Sequence, residues 1–142
     1  MNDYEFCVSL RLSHPSRSLK DFTDLLGLTP ARLWTAGEPK LTPKGTALPI
    51  TAEDSFWEAR LSGSGKRSSS EISLEVWLKQ AVSDLAPHRE KFAEIAQTGG
   101  RVELFIRWAG DYNMGAVFAP ELLRDLADLH LTLSLDVYPE GE

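Results

Sequence analysis

Four segments of the sequence alternate between apolar and polar residues, and this period of two constrains the fold more than any other feature. In the first segment the apolar side carries Tyr4, Phe6, Val8, Leu10 and Leu12. The other three segments cover residues 55–61, 101–108 and 131–138. A strand with this period has one buried and one wet face, whereas a strand buried on both faces is an unbroken apolar run. The four segments therefore predict a sheet that helices cover on one face only.

Helical spacing of apolar residues separates the predicted strands. The first helix is predicted to follow a capping pair of Ser18 and Asp21 and to end at Gly27. Its predicted buried stripe consists of Leu19, Phe22, Leu25 and Leu26. Two further helices, or one bent helix, are predicted between residues 72 and 98, with Ile72, Val76, Leu78, Val82, Leu85, Phe92, Ile95 and Ala96 facing inward. A last helix is predicted to begin at Pro120 and to bury Leu122, Leu123, Leu126 and Leu129.

The order of these elements predicts an α+β protein. The expected architecture is a mainly antiparallel sheet of four or more strands with helices packed on one face, a two-layer sandwich that is ferredoxin-like in layer order. Residues 28–51 contain four prolines and no sustained period, so they are predicted to be irregular apart from a short extended piece around residues 32–35. Residues 62–70 are typical of a mobile loop. At 142 residues, a single domain over residues 1–142 is expected.

Charge and composition exclude several classes of function. The net charge is −6, and Lys66-Arg67 is the nearest approach to a basic stripe, so nucleic-acid binding is not expected. No apolar run approaches the ~18 residues of a membrane helix, so no membrane association is expected. The first residues lack the basic flank and the apolar core of a signal peptide. The single cysteine, Cys7, excludes an intrachain disulfide, and together these features predict a cytoplasmic protein.

No group of residues has the spacing of a catalytic or metal site. Residues 63–66 match a phosphate-binding loop only in part, because Arg60 stands where the motif needs a glycine and Arg67 where it needs Ser or Thr. The histidines, His14, His88 and His130, include no pair with the i, i+4 spacing of zinc ligands, so surface or capping roles are expected. We expect no metal and no cofactor, and the missing catalytic signatures favour a protein that is not an enzyme.

The polar side of the predicted strands carries the residues that point most clearly to binding. By parity this outer face carries Ser9, Arg11, Phe56, Glu58, Arg60, Glu103, Phe105, Arg107, Ser134, Asp136 and Tyr138. Arg, Tyr and Phe are enriched where one protein meets another. We predict partner binding through Arg11, Phe56, Glu58, Arg60, Glu103, Phe105, Arg107, Asp136 and Tyr138. Two alternatives stay open: a solvated face whose cross-strand charges offset one another, and a face covered by residues 28–51.

Several short motifs resemble those of a known family. They are Gly27-Leu28-Thr29-Pro30 after the first helix, Gly37-Glu38, the strand that carries Trp57, the loop of residues 113–115 and the closing Leu135-Asp136-Val137-Tyr138. With these motifs the chain, from about Tyr4 to Tyr138, resembles the bacterial family catalogued as domain of unknown function 4279. The resemblance implies a small bacterial cytoplasmic domain, and it implies no catalytic residues because the family has no established activity. Residues 62–70 depart from the pattern.

Together these observations favour a non-enzymatic protein-binding module that acts through the outer face, and an immunity-type inhibitor of a toxin is one candidate. The alternative is a small-molecule binding protein or enzyme with a pocket between residues 27–51 and the loop of residues 110–115. A homodimer that pairs through its exposed sheet face is a third hypothesis.

Overall fold

The computed structural model of the protein describes residues 2–62, 66–110 and 113–139. In chain order its elements are β1 (Tyr4–His14), α1 (Asp21–Leu26), β2 (Arg32–Trp34), β3 (Pro39–Leu41), β4 (Ala47–Thr51), β5 (Ser55–Arg60), β6 (Arg67–Ser68), α2 (Leu74–Leu85), α3 (Arg89–Gln97), β7 (Arg101–Gly110), α4 (Pro120–Asp128) and β8 (Leu131–Pro139). A turn of 3-10 helix, Ala86–His88, joins α2 to α3. The region between residues 72 and 98 is therefore two helices in close succession.

The main sheet has six strands in the order β2-β5-β1-β7-β8, and β6 pairs with the start of β1. Every pairing in it is antiparallel except that of β7 with β8, which α4 connects as a crossover helix. The prediction of an α+β fold with a mainly antiparallel sheet is confirmed. The ferredoxin-like layer order stays a prediction.

The apolar side of the strands forms the core, as the alternation predicts. Across the sheet, Leu12 lies between Trp57 of β5 and Val102 of β7, and all three side chains are buried. They belong to one apolar cluster with helix residues such as Leu78 of α2 and Phe92 of α3. Burying a side chain of this size contributes about 1.5–3 kcal/mol, so this inner face fixes the register of the strands.

The first helix ends as predicted but begins differently. Gly27 closes α1 in the left-handed conformation, with φ 66°, which an L side chain rarely adopts. The predicted capping pair is wrong, because the residue before the helix is Lys20 and no side chain caps it. Asp21 instead forms an ion pair with Arg17 at 3.0 Å, and Ser18 Oγ accepts a hydrogen bond from the Lys20 backbone N–H.

Three leucine and valine positions in the predicted helical stripes are exposed instead of buried: Leu25, Val76 and Leu123. In α2 the buried side chains are Leu74, Trp77, Leu78, Ala81, Val82 and Leu85, which repeat at intervals of three and four. Val76 lies outside that stripe, because Trp77 fills the position that faces the sheet. Side-chain volume against the sheet thus overrides hydrophobicity alone.

Residues 28–51 are more regular than predicted, since they contain β2 and the β3–β4 hairpin. Pro39 and Pro49 lie in the two hairpin strands, where a two-stranded sheet leaves each strand one free side for a residue without an N–H. The predicted mobile loop of residues 62–70 contains β6 and a buried Ser62 whose Oγ accepts from the Val8 N–H at 3.1 Å. Residues 63–65 of that loop lie outside the described residues.

Candidate functional site

The outer face of the sheet collects the side chains that the alternation assigned to it. In the ladder Arg11 lies between Glu58 and Glu103, and Arg107 lies beside Asp136. All nine residues predicted to bind a partner share this face: Arg11, Phe56, Glu58, Arg60, Glu103, Phe105, Arg107, Asp136 and Tyr138. Their common face follows from the strand register, whereas their role in binding stays a prediction.

One end of the outer face, here the closed end, consists of Arg11, Arg32, Glu58 and Phe105. Glu58 is only 6% exposed although it lies on the outer side of the sheet. Its Oε2 accepts a hydrogen bond from Arg11 Nε, and its Oε1 lies 3.2 Å from Arg32 Nε. The Arg11 guanidinium carbon lies 3.6 Å from the centroid of the Phe105 ring. The charges of the closed end are therefore satisfied by one another.

Glu103, the second acid beside Arg11, also has neighbours on its own face. Its Oε2 accepts a hydrogen bond from Ser134 Oγ of β8 and lies 3.2 Å from a terminal guanidinium nitrogen of Arg101. The hydrogen bond from Ser134 joins β8 to β7 across the parallel pair, whereas the Arg101 contact lies within β7. Glu103 therefore contributes to strand pairing, and its carboxylate is already engaged.

Phe56 is covered by the segment that includes β2 and β3. The rings of Phe56 and Trp34 stack with centroids 4.8 Å apart, and Lys40 Nζ lies 4.5 Å from the centroid of the Trp34 ring. At the edge of this stack, the indole N–H of Trp34 donates to Asp54 Oδ1 at 3.5 Å. Residues 32–41 thus shield one corner of the outer face. They leave Arg107 exposed at the opposite side of that face.

The other end of the outer face, here the open end, consists of Cys7, Arg60, Lys66, Arg107 and Tyr138. Arg107 is exposed, and Tyr138 is 43% exposed. A guanidinium N–H of Arg107 donates to Tyr138 Oη at 3.3 Å, and the Tyr138 hydroxyl donates to Asp136 Oδ2 at 2.7 Å. This chain of hydrogen bonds fixes the direction of the Tyr138 ring while both side chains remain accessible to a partner.

A recess of about 470 Å³ lies in the open end. It is lined by Glu5, Phe6, Cys7, Arg60, Lys66, Arg107, Ala109 and Tyr138. Three of these side chains are cationic and one is a carboxylate, although the protein as a whole carries a net charge of −6. A local excess of positive charge in a concave site favours an anionic group. The recess can therefore accept a carboxylate or another small anion.

The structure places β2 and the start of the 110–115 loop near opposite ends of β1, and the pocket predicted between residues 27–51 and residues 110–115 stays a prediction. β2 pairs with the part of β5 that faces Arg11–Ser13, whereas Gly110 pairs with Tyr4. The two regions are thus separated by roughly 23 Å along β1. Residues 111–112 of the predicted loop lie outside the described residues.

A different recess, of about 570 Å³, lies between the end of β1 and the β3–β4 hairpin. It is lined by Ser13, His14, Pro15, Lys40, Ile50, Thr51, Glu53, Asp54 and Gly99. Its two exposed acids, Glu53 and Asp54, oppose one lysine, so the charges at this site are mixed. Lys40, Ile50 and Thr51 of the segment 27–51 border this recess.

His14 has a capping role at the end of β1. Its Nδ1 accepts hydrogen bonds from the backbone N–H groups of Ser16 and Arg17, at 3.1 Å and 2.8 Å. Its Nε2 lies 2.8 Å from Thr98 Oγ1 after α3. Among the residues that the structure describes, no cluster of three His, Cys, Asp or Glu side chains is arranged to hold a metal ion.

Tyr4 is a buried titratable side chain at the start of β1. Burial raises the pKa of Tyr4 above its ordinary value, and the nearby carboxylate of Glu75 acts in the same direction. Its hydroxyl accepts from the Leu74 backbone N–H at 2.9 Å and donates to Glu75 Oε1 at 3.4 Å. Tyr4 therefore ties β1 to the first turn of α2, on the inner side of the sheet.

Two residues of the outer face were missed by sequence reasoning: Arg32 and Lys66. Arg32 was missed because β2 has only three residues and shows no detectable period. Lys66 was considered only as part of a phosphate-binding motif. It lies close to β1 because the strand that follows it, β6, pairs with β1. Parity did place Cys7 on the polar side, but only the register shows that it lies beside Arg107.

The fold and the outer face define a class of α+β protein in which a mixed six-stranded sheet presents a charged and aromatic surface. Within that class, the chain belongs to the family described as Domain of unknown function (DUF4279), which matches residues 3–140. The suspected resemblance is thereby confirmed. No curated protein and no solved structure matches the chain. None of the helices in the described residues is both long enough and apolar enough to span a membrane.

Proposed function

We propose that this chain is a non-enzymatic protein-binding module of the bacterial cytoplasm that grips a carboxylate-bearing side chain of its partner at the open end. The observation that carries this proposal is the exposed Arg107–Tyr138 pair beside the recess that Arg60 and Lys66 also line. Arginine and tyrosine are the residue types that most often dominate binding energy at protein interfaces. The single free cysteine, Cys7, is typical of a reducing compartment.

The contrast between the two ends supports the choice of the open end as the contact. At the closed end, Glu58 already pairs with Arg11 and Arg32, so a partner would have to displace contacts within the protein. At the open end, a carboxylate could bind Arg107 without breaking a buried ion pair. Charge-assisted hydrogen bonds of this kind are about twice as strong as neutral ones.

An immunity-type inhibitor of a toxin is the candidate class that we propose within this function. Such an inhibitor acts by covering its target, and so needs a well-ordered surface but no catalytic group. The rigid sheet supplies such a surface. The identity of the neighbouring open reading frames tests this class directly, because a toxin gene beside this one supports it and its absence across several hosts counts against it.

The test of binding begins with affinity capture from the native host and continues with purified partner. Arg107→Glu is expected to weaken the partner's affinity at least tenfold, which corresponds to about 1.4 kcal/mol. Lys66→Glu is expected to act in the same direction, since it reverses a second charge of the recess. Isothermal titration calorimetry measures both. The matched control is Arg124→Glu, an equal charge reversal at an exposed position of α4.

The outcome that contradicts the proposal is full affinity in the double variant Arg107→Glu/Lys66→Glu. Folding of each variant is checked by circular dichroism and by its unfolding curve. Equal loss of affinity in the Arg124→Glu control would point to a general effect of charge instead of the open end.

A small anionic molecule in the same recess is the second candidate function. The volume of about 470 Å³ is its supporting observation, because ligand pockets commonly enclose about 300–1,000 Å³. In this case a panel of dicarboxylates and inorganic phosphate raises the melting temperature of the wild-type chain but not of Arg107→Glu. If none of these probes shifts the melting temperature, the small-anion candidate fails and the protein-binding proposal is unaffected.

A further inference from the structure

In the part of the chain that the structure describes, β8 is an edge strand of the main sheet with one long unpaired side. Among the described residues it pairs with β7 alone, over nine consecutive positions. At the opposite edge, β2 has only three residues and is followed closely by the β3–β4 hairpin. An unpaired edge presents a row of backbone N–H and C=O groups that can pair with another strand.

This edge lacks the features that usually prevent pairing. Residues 131–139 contain no lysine or arginine, and the register with β7 runs without a bulge. Pro139 is at the very end. On the inner side, Leu135 is 46% exposed and Val137 is 49% exposed, although the alternation predicts both to be buried. Parity assigned these two side chains to the correct side, but no neighbour covers them fully.

We propose that a second copy of this chain pairs with β8, antiparallel and edge to edge, about a two-fold axis through Leu135. In this register all nine residues of each strand are used. On the inner side, Leu135 faces the partner's Leu135, and Leu133 faces the partner's Val137. The apolar side chains of the two strands then form one continuous row. In the dimer this row removes from solvent the parts of Leu135 and Val137 that are exposed in a single chain.

Strand length and charge together select this register over its neighbours, since centring the pair on Ser134 would leave Tyr138 and Pro139 unpaired. On the outer side, Ser134 faces the partner's Asp136, so neither Asp136 carboxylate lies opposite another carboxylate. Centring the pair on Asp136 would instead place two carboxylates directly opposite each other, which is destabilising. Shifting by a single residue would put Leu135 opposite a carboxylate and turn the two outer faces to opposite sides. The register through Leu135 avoids both penalties.

The strand pairing is independent of the proposed function but compatible with it. A two-fold axis perpendicular to the sheet leaves both outer faces on the same side of the dimer. The open ends of both copies then face the same side of the dimer. Arg107→Glu is expected to leave the dimer intact, so failure of the partner-binding proposal and failure of the dimer can be told apart.

The first experiment measures the mass of the full chain in solution by sedimentation over a range of concentrations. The wild-type chain is expected to sediment with twice the mass of one chain, and Leu135→Lys/Val137→Lys with the mass of one. The matched control is Val76→Lys, an exposed apolar position on α2, which is expected to remain dimeric. A wild-type chain that stays monomeric at its highest soluble concentration overturns the proposal, and so does a folded double variant that remains dimeric.

The second experiment tests the register with a small, uncharged substitution on the edge. In a Cys7→Ser background, Leu135→Cys is expected to form an intermolecular disulfide under mild oxidation, because only the residue on the two-fold axis faces itself. The matched control is Thr132→Cys on the same strand, which faces the partner's Tyr138 and is expected to stay reduced. Equal crosslinking of the two variants, or none in Leu135→Cys, overturns the register through Leu135.

Discussion

The closed end and the open end of the outer face each pair an arginine with an aromatic ring, yet Arg11 and Arg107 have opposite surroundings. Arg11 lies against the Phe105 ring and donates to Glu58, which is buried. Arg107, on the neighbouring strand, is exposed and contacts the ring and hydroxyl of Tyr138. The two arginines lie on the same side of the sheet. The packing around each one, and not its parity, decides whether it stabilises the fold or is accessible to a partner.

This difference changes how the predicted binding residues are to be tested. Arg11, Phe56, Glu58, Glu103 and Phe105 all have partners within the protein, so substitutions there alter folding as well as any interface. Arg107 and Tyr138 can be changed at the surface. A simultaneous reversal of charge across the whole face would therefore mix loss of stability with loss of binding, whereas changes confined to one end separate the two.

The largest effect is expected from reversing the charge of Arg11. Arg11→Glu removes a donor from a buried carboxylate and places a second carboxylate beside it, so the free energy of unfolding should fall by about 3 kcal/mol or more. Urea denaturation measures the change. The matched reversal Arg107→Glu is expected to change the free energy of unfolding by less than about 0.5 kcal/mol. Similar losses in the two variants would abolish the distinction between the two ends.

The second-largest loss of stability is expected from removing the Trp34 ring, which lies at the border of the closed end. Trp34→Ala removes the ring that stacks on Phe56 and supports Lys40, and the free energy of unfolding should fall by about 2 kcal/mol. Trp34→Phe keeps an aromatic ring on Phe56 and should recover most of the loss. Thermal unfolding of both variants checks this, and equal melting temperatures for Trp34→Ala and the wild type would show that the stack does not stabilise the fold.

A smaller loss of stability is expected from Tyr4→Phe, a change on the inner side of the sheet near the open end. Tyr4→Phe leaves the Leu74 N–H without its acceptor, at a cost of about 1 kcal/mol near neutral pH. The folded-state pKa of Tyr4 is raised, so its contribution is fully present below about pH 10, the ordinary pKa, and is lost as the pH rises through the folded value.

The difference in stability between wild type and Tyr4→Phe should therefore shrink above about pH 10. Denaturation curves between neutral pH and the highest pH at which the chain stays folded measure this difference. A constant difference across that range would contradict the assignment of the titration to Tyr4.

The smallest effect is expected from Arg32, the exposed member of the closed end. A double-mutant cycle of Arg32→Ala with Glu58→Gln should give a coupling of about 0.5 kcal/mol, because the Arg32 side chain is 59% exposed and its ion pair is solvated. The corresponding cycle with Arg11→Ala should give a larger coupling. Equal couplings would mean that burial does not distinguish the two arginines.

The alternation of residues was enough to predict which side of each long strand is buried. Leu12, Trp57 and Val102 form one row of the core because period two is a property of the backbone itself. The common face of Arg11 and Arg107 follows for the same reason. These features are local consequences of strand geometry, and they needed no knowledge of strand order.

The features that sequence reasoning missed depend on distant neighbours. The short β2 has no period to detect, and so its Arg32 was not placed on the outer face. Val76 has the hydrophobicity of a core residue, but Trp77 fills the space against the sheet. The division of the outer face into two ends was also not foreseeable, since it arises from the pairing of Glu58 of β5 with arginines of its two neighbouring strands, β1 and β2.

The position of β1 in the sheet has a consequence for biosynthesis. β1 is made first, but its neighbours are β5 and β7, and β7 begins roughly 90 residues after β1 ends. At translation rates of about 5–20 residues per second, the apolar side of β1 waits several seconds or more for its second neighbour. During that interval Phe6, Val8 and Leu10 are without their final cover. The apolar side of β1 in the nascent chain therefore stays partly exposed until β7 has been synthesised.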